Sequence, residues 1–231
     1  MFGRVVRRLL KRHGGFTSSA RGTAYWEEGV AALGRRSVVN TRYSSKELDE
    51  VTQRQRDLLL PLLKAELQGW EKTVLDLGCG AGRFTRDLAA TVGGTAIGID
   101  PIARLLDLAP SGPDVSYRLL VPGHFPLDDD SVDIVWVCSV LDGLDDDTLR
   151  NTIDEIDRVL CVGGLLFLAE DSPGADAAMN ADSHWVFRSP SVYQELFPFY
   201  DLRVVARYRD WDDEVAVMLG RREAEESRRH Q

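Results

Sequence analysis

The sequence predicts an α/β fold with a doubly wound, mostly parallel sheet, and three observations carry that expectation. From Lys72 onward, short continuous apolar runs alternate with amphipathic stretches of helical length. The first run, Thr73–Leu77, passes straight into three alternating glycines, Gly78, Gly80 and Gly82. A second run, Ala96-Ile97-Gly98-Ile99, ends on Asp100, 22 positions after Gly78. Apolar runs that do not alternate belong to strands buried on both faces by crossover helices. Glycine tolerates positive φ and has no Cβ, so a ligand can lie against such a loop while the N–H groups opening the next helix face it. An acid at the spacing of Asp100 can accept hydrogen bonds from both hydroxyls of a ribose.

The elements follow in order. Residues 2–12 place Phe2, Val5, Val6, Leu9 and Leu10 on one helical face with basic residues elsewhere. That pattern suits a helix packed on an acidic body or, alternatively, one lying on a membrane surface or anionic partner. A Gly/Ser-rich linker, Gly14 to Ser19, comes next. Tyr25-Trp26 open a short segment that closes near Gly34. Ser44 and Glu47 form a capping box ahead of a helix marked by Leu48, Val51, Leu58, Leu59, Leu62, Leu63 and Leu67, which Pro61 is expected to kink or split. Strands are predicted at Thr73–Leu77, Thr95–Ile99, Val115–Leu120, Val132–Cys138 and Leu165–Ala169, with a helix across Asp146–Leu160. Leu202–Arg209 and Glu214–Leu219 are separated only by Asp210-Trp211-Asp212-Asp213, which makes them an antiparallel hairpin. The organisation expected is a basic and helical segment (1–71), the α/β domain (72–220) and a charged, frayed tail (221–231).

Composition bounds the function. A chain of 231 residues with 44% hydrophobic content builds one sizeable core plus an appendage. The formal net charge is −9, but nine basic residues against Glu27 and Glu28 make the stretch through Tyr43 +7, leaving −16 for the rest. So acidic a body excludes a nucleic-acid backbone as substrate, since phosphate binding needs clustered cations. Cys79, Cys138 and Cys161 form no CxxC pair and read as reduced thiols of a cytoplasmic protein. No apolar run approaches membrane-spanning length. Arg7-Arg8 hint at a twin-arginine signal, but Lys11-Arg12-His13 stand where its apolar region should begin, so no targeting segment is expected.

The stretch Asp76-Leu77-Gly78-Cys79-Gly80-Ala81-Gly82 resembles the acidic-x-Gly-x-Gly-x-Gly motif of the class I S-adenosylmethionine (SAM)-dependent methyltransferases. A dehydrogenase fingerprint would space its last two glycines by two residues, and position 83 is arginine. The likeness continues through Gly98-Ile99-Asp100-Pro101, Phe125-Pro126-Leu127 with Ser131-Val132-Asp133-Ile134-Val135, and Arg158 to Leu166, about residues 73 to 220. It implies a Rossmann-like, seven-stranded sheet with an antiparallel C-terminal hairpin, an N-terminal helical lid, and SAM as cofactor. Within the implied cradle, Gly78, Cys79, Gly80 and Gly82 form the loop and Asp76 orients the methionine end. Asp100 clamps the ribose, Pro101 and Ile102 flank the adenine, and Cys138 and Ser139 border the methionine moiety. Cys79 is not expected to act as a nucleophile. Arg83 reads either as a carboxylate contact or as a solvated arginine at a helix start. One departure matters: many members carry an acid after the third strand to read the adenine amino group, where this chain has Leu120-Val121-Pro122. Backbone groups or a neighbour such as His124 must take that task.

Methyl transfer from a sulfonium needs little activation of the donor, because the leaving thioether is neutral. The protein must align the acceptor and remove a proton where necessary. Many members place histidine just after the fourth strand, whereas this chain reads Val140-Leu141-Asp142-Gly143. Three candidate bases remain: Asp142, alternatively a helix cap; Glu170, alternatively half of a solvated pair with Asp171; and His184, in the long connection from Asp171 to Ser189, titrating near neutrality. The acid runs at 128–130 and 145–147 suggest hard-metal ligands, but they suit a turn and a helix start better, and no metal is expected. The expectation is an enzyme that methylates a small or carbohydrate-like acceptor at oxygen. An amine nitrogen, or a catalytically silent SAM-binding subunit, are the alternatives. The sugar expectation rests on His184 to Pro190, Tyr193, Leu196-Phe197 and Met218 to Arg221, which look similar to methyltransferases of bacterial polysaccharide and natural-product clusters.

Overall fold

Alternate residues of the apolar runs separate onto the two faces of one sheet, which is why the runs show no alternation in sequence. The computed structural model describes residues 22–39, 43, 44, 46–121, 123–172, 185–211 and 213–224. The strands are β1 (Thr73–Leu77), β2 (Thr95–Asp100), β3 (Val115–Leu119), β4 (Val132–Cys138), β5 (Leu160–Asp171), β6 (Arg203–Asp210) and β7 (Asp213–Arg221). They form a seven-stranded sheet in the order β3-β2-β1-β4-β5-β7-β6. β1 to β5 pair parallel, and β7 lies antiparallel between β5 and β6. The helices are α1 (Thr23–Leu33), α2 (Leu48–Glu66), α3 (Thr85–Val92), α4 (Ala103–Leu106), α5 (Asp146–Val159) and α6 (Pro190–Leu196), with a 3-10 turn over Gly34–Val38.

On one face Leu75, Leu77, Val135, Val137, Leu166 and Leu168 meet α5 and α6 through Ile156, Tyr193 and Phe197. On the other, Val74, Ile134, Trp136, Leu165 and Phe167 meet α2 and α3 through Leu59, Leu63 and Leu88. Each such side chain contributes about 1.5–3 kcal/mol when fully buried. α2 runs unbroken past Pro61, because fully buried Leu59 and Leu63 on either side anchor both turns to the sheet. Half of the capping box forms: the Ser44 N–H donates to the Glu47 carboxylate at 2.8 Å.

Two differences from the sequence-based expectation have clear causes. β5 begins at Leu160 rather than Leu165, because Val132 pairs with Leu160 and Ile134 with Leu165. The intervening Cys161-Val162-Gly163-Gly164 bulge out of the ladder, and Gly163 supplies the φ of +80° that the bulge requires. The tail predicted to fray from 221 is instead held through Glu223. β7 includes Arg221; Arg222 pairs with Asp130 and Asp157; and the Glu223 N–H donates to the Phe199 carbonyl. Residues 2–12, and 225–231 of the tail, lie outside the described residues.

Candidate active site

The carboxyl ends of β1, β2 and β4 open onto one cavity of about 600 Å³, within the size range of small-molecule and cofactor sites. Gly78 and Gly80 form its inner wall, with φ of +66° and +54°. A Cβ on Gly78 would stand 2.6 Å from Val140 Cγ2, and one on Gly80 would stand 2.6 Å from Val38 Cγ1. Both positions therefore require glycine for conformation and for space. Asp100, Pro101, Ile102, Cys138 and Ser139 also line the cavity. Asp100 ties the wall together: its Oδ2 accepts the Gly80 N–H and its Oδ1 the Ile102 N–H, both at 2.9 Å. Burial pushes its carboxyl up to about 6, while those two N–H groups pull the other way.

Three of the residues assigned to the cradle stand behind the wall rather than on it. Asp76 accepts the Thr85 hydroxyl at 2.6 Å, and burial lifts its carboxyl to about 7. Cys79 packs on Gly98 with its thiol pushed well above the usual range by burial, so it is inert. Gly82 faces Pro110 and the Tyr117 hydroxyl. Asp100→Ala should remove the wall's charge-assisted acceptor at a cost of about 1.5–3 kcal/mol. Cofactor affinity should then fall roughly tenfold or more by titration calorimetry; a loss below twofold would place the ribose contact elsewhere.

The candidate bases divide. Asp142 and Glu170 are both fully buried and do not line the cavity. Glu170 is not a solvated carboxylate: it accepts the N–H groups of Val140 (3.1 Å) and Asp142 (3.2 Å). It thereby shapes the turn after β4, where Ser139 is held at φ +55°. Asp142 does not cap the next helix. That role belongs to Asp145, which accepts the Thr148 N–H at 2.8 Å. Neither Asp142 carboxylate oxygen has a hydrogen-bond partner among the described residues. Burial first, then the charge of Glu170, pushes its carboxyl well above the usual range. His184 lies outside the described residues.

Asp142 makes stability depend on pH. Its folded carboxyl titrates above the unfolded one, so its contribution is complete below the usual carboxylate range near pH 4 and is lost as pH rises through the folded value. Asp142→Asn, which stays neutral, should raise Tm at about pH 8, with the gap closing towards about pH 4. Thermal melts at both values check this; a gap that widens in acid would contradict it.

The N-terminal segment closes the cavity from above. Trp26 and Val38 line it, and together with Val30 they pack on Ala81, Ile102 and Leu105. Arg83 is neither a carboxylate contact nor a solvated helix start. It donates to the Val38 carbonyl at 2.9 Å and to the Gln55 side chain, with its guanidinium 4.9 Å from the Phe84 ring centre. The lid's far end is pinned by the Tyr43 hydroxyl, which donates to Asp210 at 2.6 Å. Trp26 also meets Trp185 edge-to-face at 5.7 Å, joining the lid to the segment after β5.

The opposite wall was missed by sequence reasoning. Thr148, Asn151, Thr152 and Glu155 of α5 line the cavity. The available signal was the Asp145 cap, because a helix starting that close to a strand's carboxyl end turns its first residues towards the crevice. The acid runs serve as that cap and as ion-pair partners, Asp129 with Arg158 and Asp146 with Arg188.

Comparison with known proteins agrees with this arrangement. Residues 75–168 match the family model described as a methyltransferase domain. The chain is 27% identical over 208 residues to phosphoethanolamine N-methyltransferase 1 of Triticum aestivum, covering 85% of this chain and only 37% of that protein. A SAM-dependent methyltransferase from Aquifex aeolicus superposes with a TM-score of 0.54 at 17% identity, covering 77% of this chain and 98% of that one. Phosphoethanolamine N-methyltransferase 2 of Haemonchus contortus, in complex with phosphomonomethylethanolamine and S-adenosylhomocysteine, gives 0.63 at 12% identity, covering 78% and 58%. SAM fits the cavity: the glycine wall has no room for a Cβ, and Asp100, Asp145 and Glu155 among its lining residues suit a ligand that carries a sulfonium. When bound, SAM supplies an electrophilic methyl group whose departure leaves a neutral thioether. Residues 75–168 thus match a methyltransferase domain, and the sheet order and the cradle resemble those of the class I SAM-dependent methyltransferases.

Proposed function

We propose that this enzyme methylates the nitrogen of a small amine that carries no phosphate, in the cytoplasm. The observation that carries the reading is the charge of the cavity. Its acidic side chains are Asp100, Asp145 and Glu155, the last paired with Arg158, and neither lysine nor arginine lines it among the described residues. A methylated amine is a cation, and carboxylates with the ring of Trp26 favour a cation over an anion. An amine that reaches the site as its free base needs no general base, which accords with Asp142 and Glu170 standing outside the cavity. The wheat and nematode relatives are named as N-methyltransferases. Their phosphate-bearing acceptors, however, call for cations that the described lining does not offer. The −16 body likewise disfavours polyanionic acceptors. The test is incubation with SAM and paired amines and alcohols of the same carbon skeleton, read by mass spectrometry. Methylation of the alcohols alone would overturn the nitrogen reading.

A second reading, oxygen methylation of a hydroxyl-rich or sugar-like acceptor, has its own support. His184 directly precedes Trp185, whose ring stands 3.4 Å from where a Cβ on Gly143 of the cavity wall would be. The neighbouring Val186 N–H donates to the Asp142 carbonyl at 2.6 Å. On this reading His184→Ala lowers kcat about a hundredfold without changing SAM affinity. A drop below about threefold removes His184 from the mechanism.

A further inference from the structure

The acid expected after the third strand is missing, yet the cavity has a polar edge at that place. The carboxyl ends of β2 and β3 are bonded side by side: the Leu120 N–H donates to the Asp100 carbonyl at 3.0 Å. Ile102, Leu120 and Phe125 are apolar cavity-lining residues next to Asp100 and beyond it, a setting that suits the flat face of a heterocycle. Beyond Leu120 the chain reverses, with the His124 N–H donating to the Val121 carbonyl at 3.1 Å, and His124 lines the cavity. Its Nδ1 lies 3.2 Å from Glu155 Oε2. Glu155 belongs to α5 and is itself fixed, accepting from the Phe125 N–H at 2.5 Å and from Arg158 through two bonds of 2.8 Å.

We propose that His124, held in one tautomer by Glu155, reads the amino group of the cofactor's adenine. A lone pair on Nδ1 would face the Glu155 carboxylate, so the proton belongs on Nδ1 and Nε2 is left as an acceptor. An acceptor at the edge of an apolar slot selects a ring bearing an exocyclic N–H donor. It opposes the corresponding 6-oxo ring, whose oxygen would meet the Nε2 lone pair. Discrimination by a hydrogen bond is strong because the wrong ligand leaves a polar group facing a like one. His124 is a binding residue in this scheme, and Glu155 a positioning residue that acts through it.

The experiment needs no acceptor substrate. Titration calorimetry compares S-adenosylhomocysteine with S-inosylhomocysteine on the full chain. The parent protein should bind the adenosyl form at least about tenfold tighter. His124→Phe, which keeps an apolar ring and removes the acceptor, should bind the two within about twofold, with Tm unchanged because the His124 side chain is 65% exposed. Glu155→Gln, free to turn its amide N–H towards Nδ1, should lose most of the preference while His124 is still present. Equal binding of the two ligands by the parent, or full discrimination retained in His124→Phe, overturns the proposal. Loss of binding of both ligands by the parent would instead count against the cofactor site itself, a separate failure.

Discussion

Gly80→Val should abolish SAM binding, lowering affinity more than about a hundredfold, with the sheet still folded. Two costs act together at this position. A β-branched residue at φ +54° is strained by roughly 1–3 kcal/mol. Its Cβ would also fall 2.6 Å from Val38 Cγ1, so either the loop or the lid must move. A side chain here is expected to fill the space of the methionine moiety. The structure adds that it would first displace the lid. The Gly80 N–H also donates to Asp100, so a shifted loop loses its tie to the β2 end as well. Val38→Ala in the Gly80→Val background separates the causes: it should recover part of the affinity by relieving the contact but not the strain. Unchanged SAM affinity in Gly80→Val would remove this loop from the cofactor site.

Deleting residues 1–43 should be nearly as damaging, whereas deleting 1–13 should leave SAM affinity within about twofold. The longer deletion removes Trp26, Val30 and Val38 from Ala81, Ile102 and Leu105, and Tyr43 from Asp210. Uncovering several large apolar side chains at about 1.5–3 kcal/mol each opens the cavity to water, and a loss of affinity above about a hundredfold is expected. Calorimetry on both truncations, with melts to confirm folding, checks this. A well-folded protein lacking 1–43 that still binds SAM like the parent would show that the lid does not build the site.

Much of this was legible in the sequence because its physical causes are local. β1 and β4 begin and end where the apolar runs do, since burial on both faces leaves no ambiguity of phase. The glycine loop and Asp100 were readable because backbone conformation and residue type are tied together there. What escaped was the direction of side chains and the partners they find across the fold. Glu170 lies near the end of β5 and Asp142 in the turn after β4, where a base would be sought. Only the packing reveals that Glu170 turns inward onto the backbone of the turn after β4 and that Asp142 is buried in the same interior. Arg83 carried a charge that suggested solvent or a carboxylate; its partners are a carbonyl of the lid and a glutamine of α2. Glu155 lay inside an amphipathic helix with no mark to connect it with His124.

The place of β7 in the sheet bears on how the protein is made. Along the chain β7 follows β6, yet it is β7 that pairs with β5, and among the described residues β6 has β7 as its sole strand partner. A ribosome therefore delivers β6 before the strand it needs exists. Until β7 emerges, the open edge of β5 exposes the unpaired backbone of Leu165 to Ala169, all of it apolar. Such an edge is a template for wrong pairing with another chain. Translation speed over the segment from β5 to β7, and the supply of chaperones that shield nascent strands, should govern the yield of usable protein more than the stability of the finished fold does.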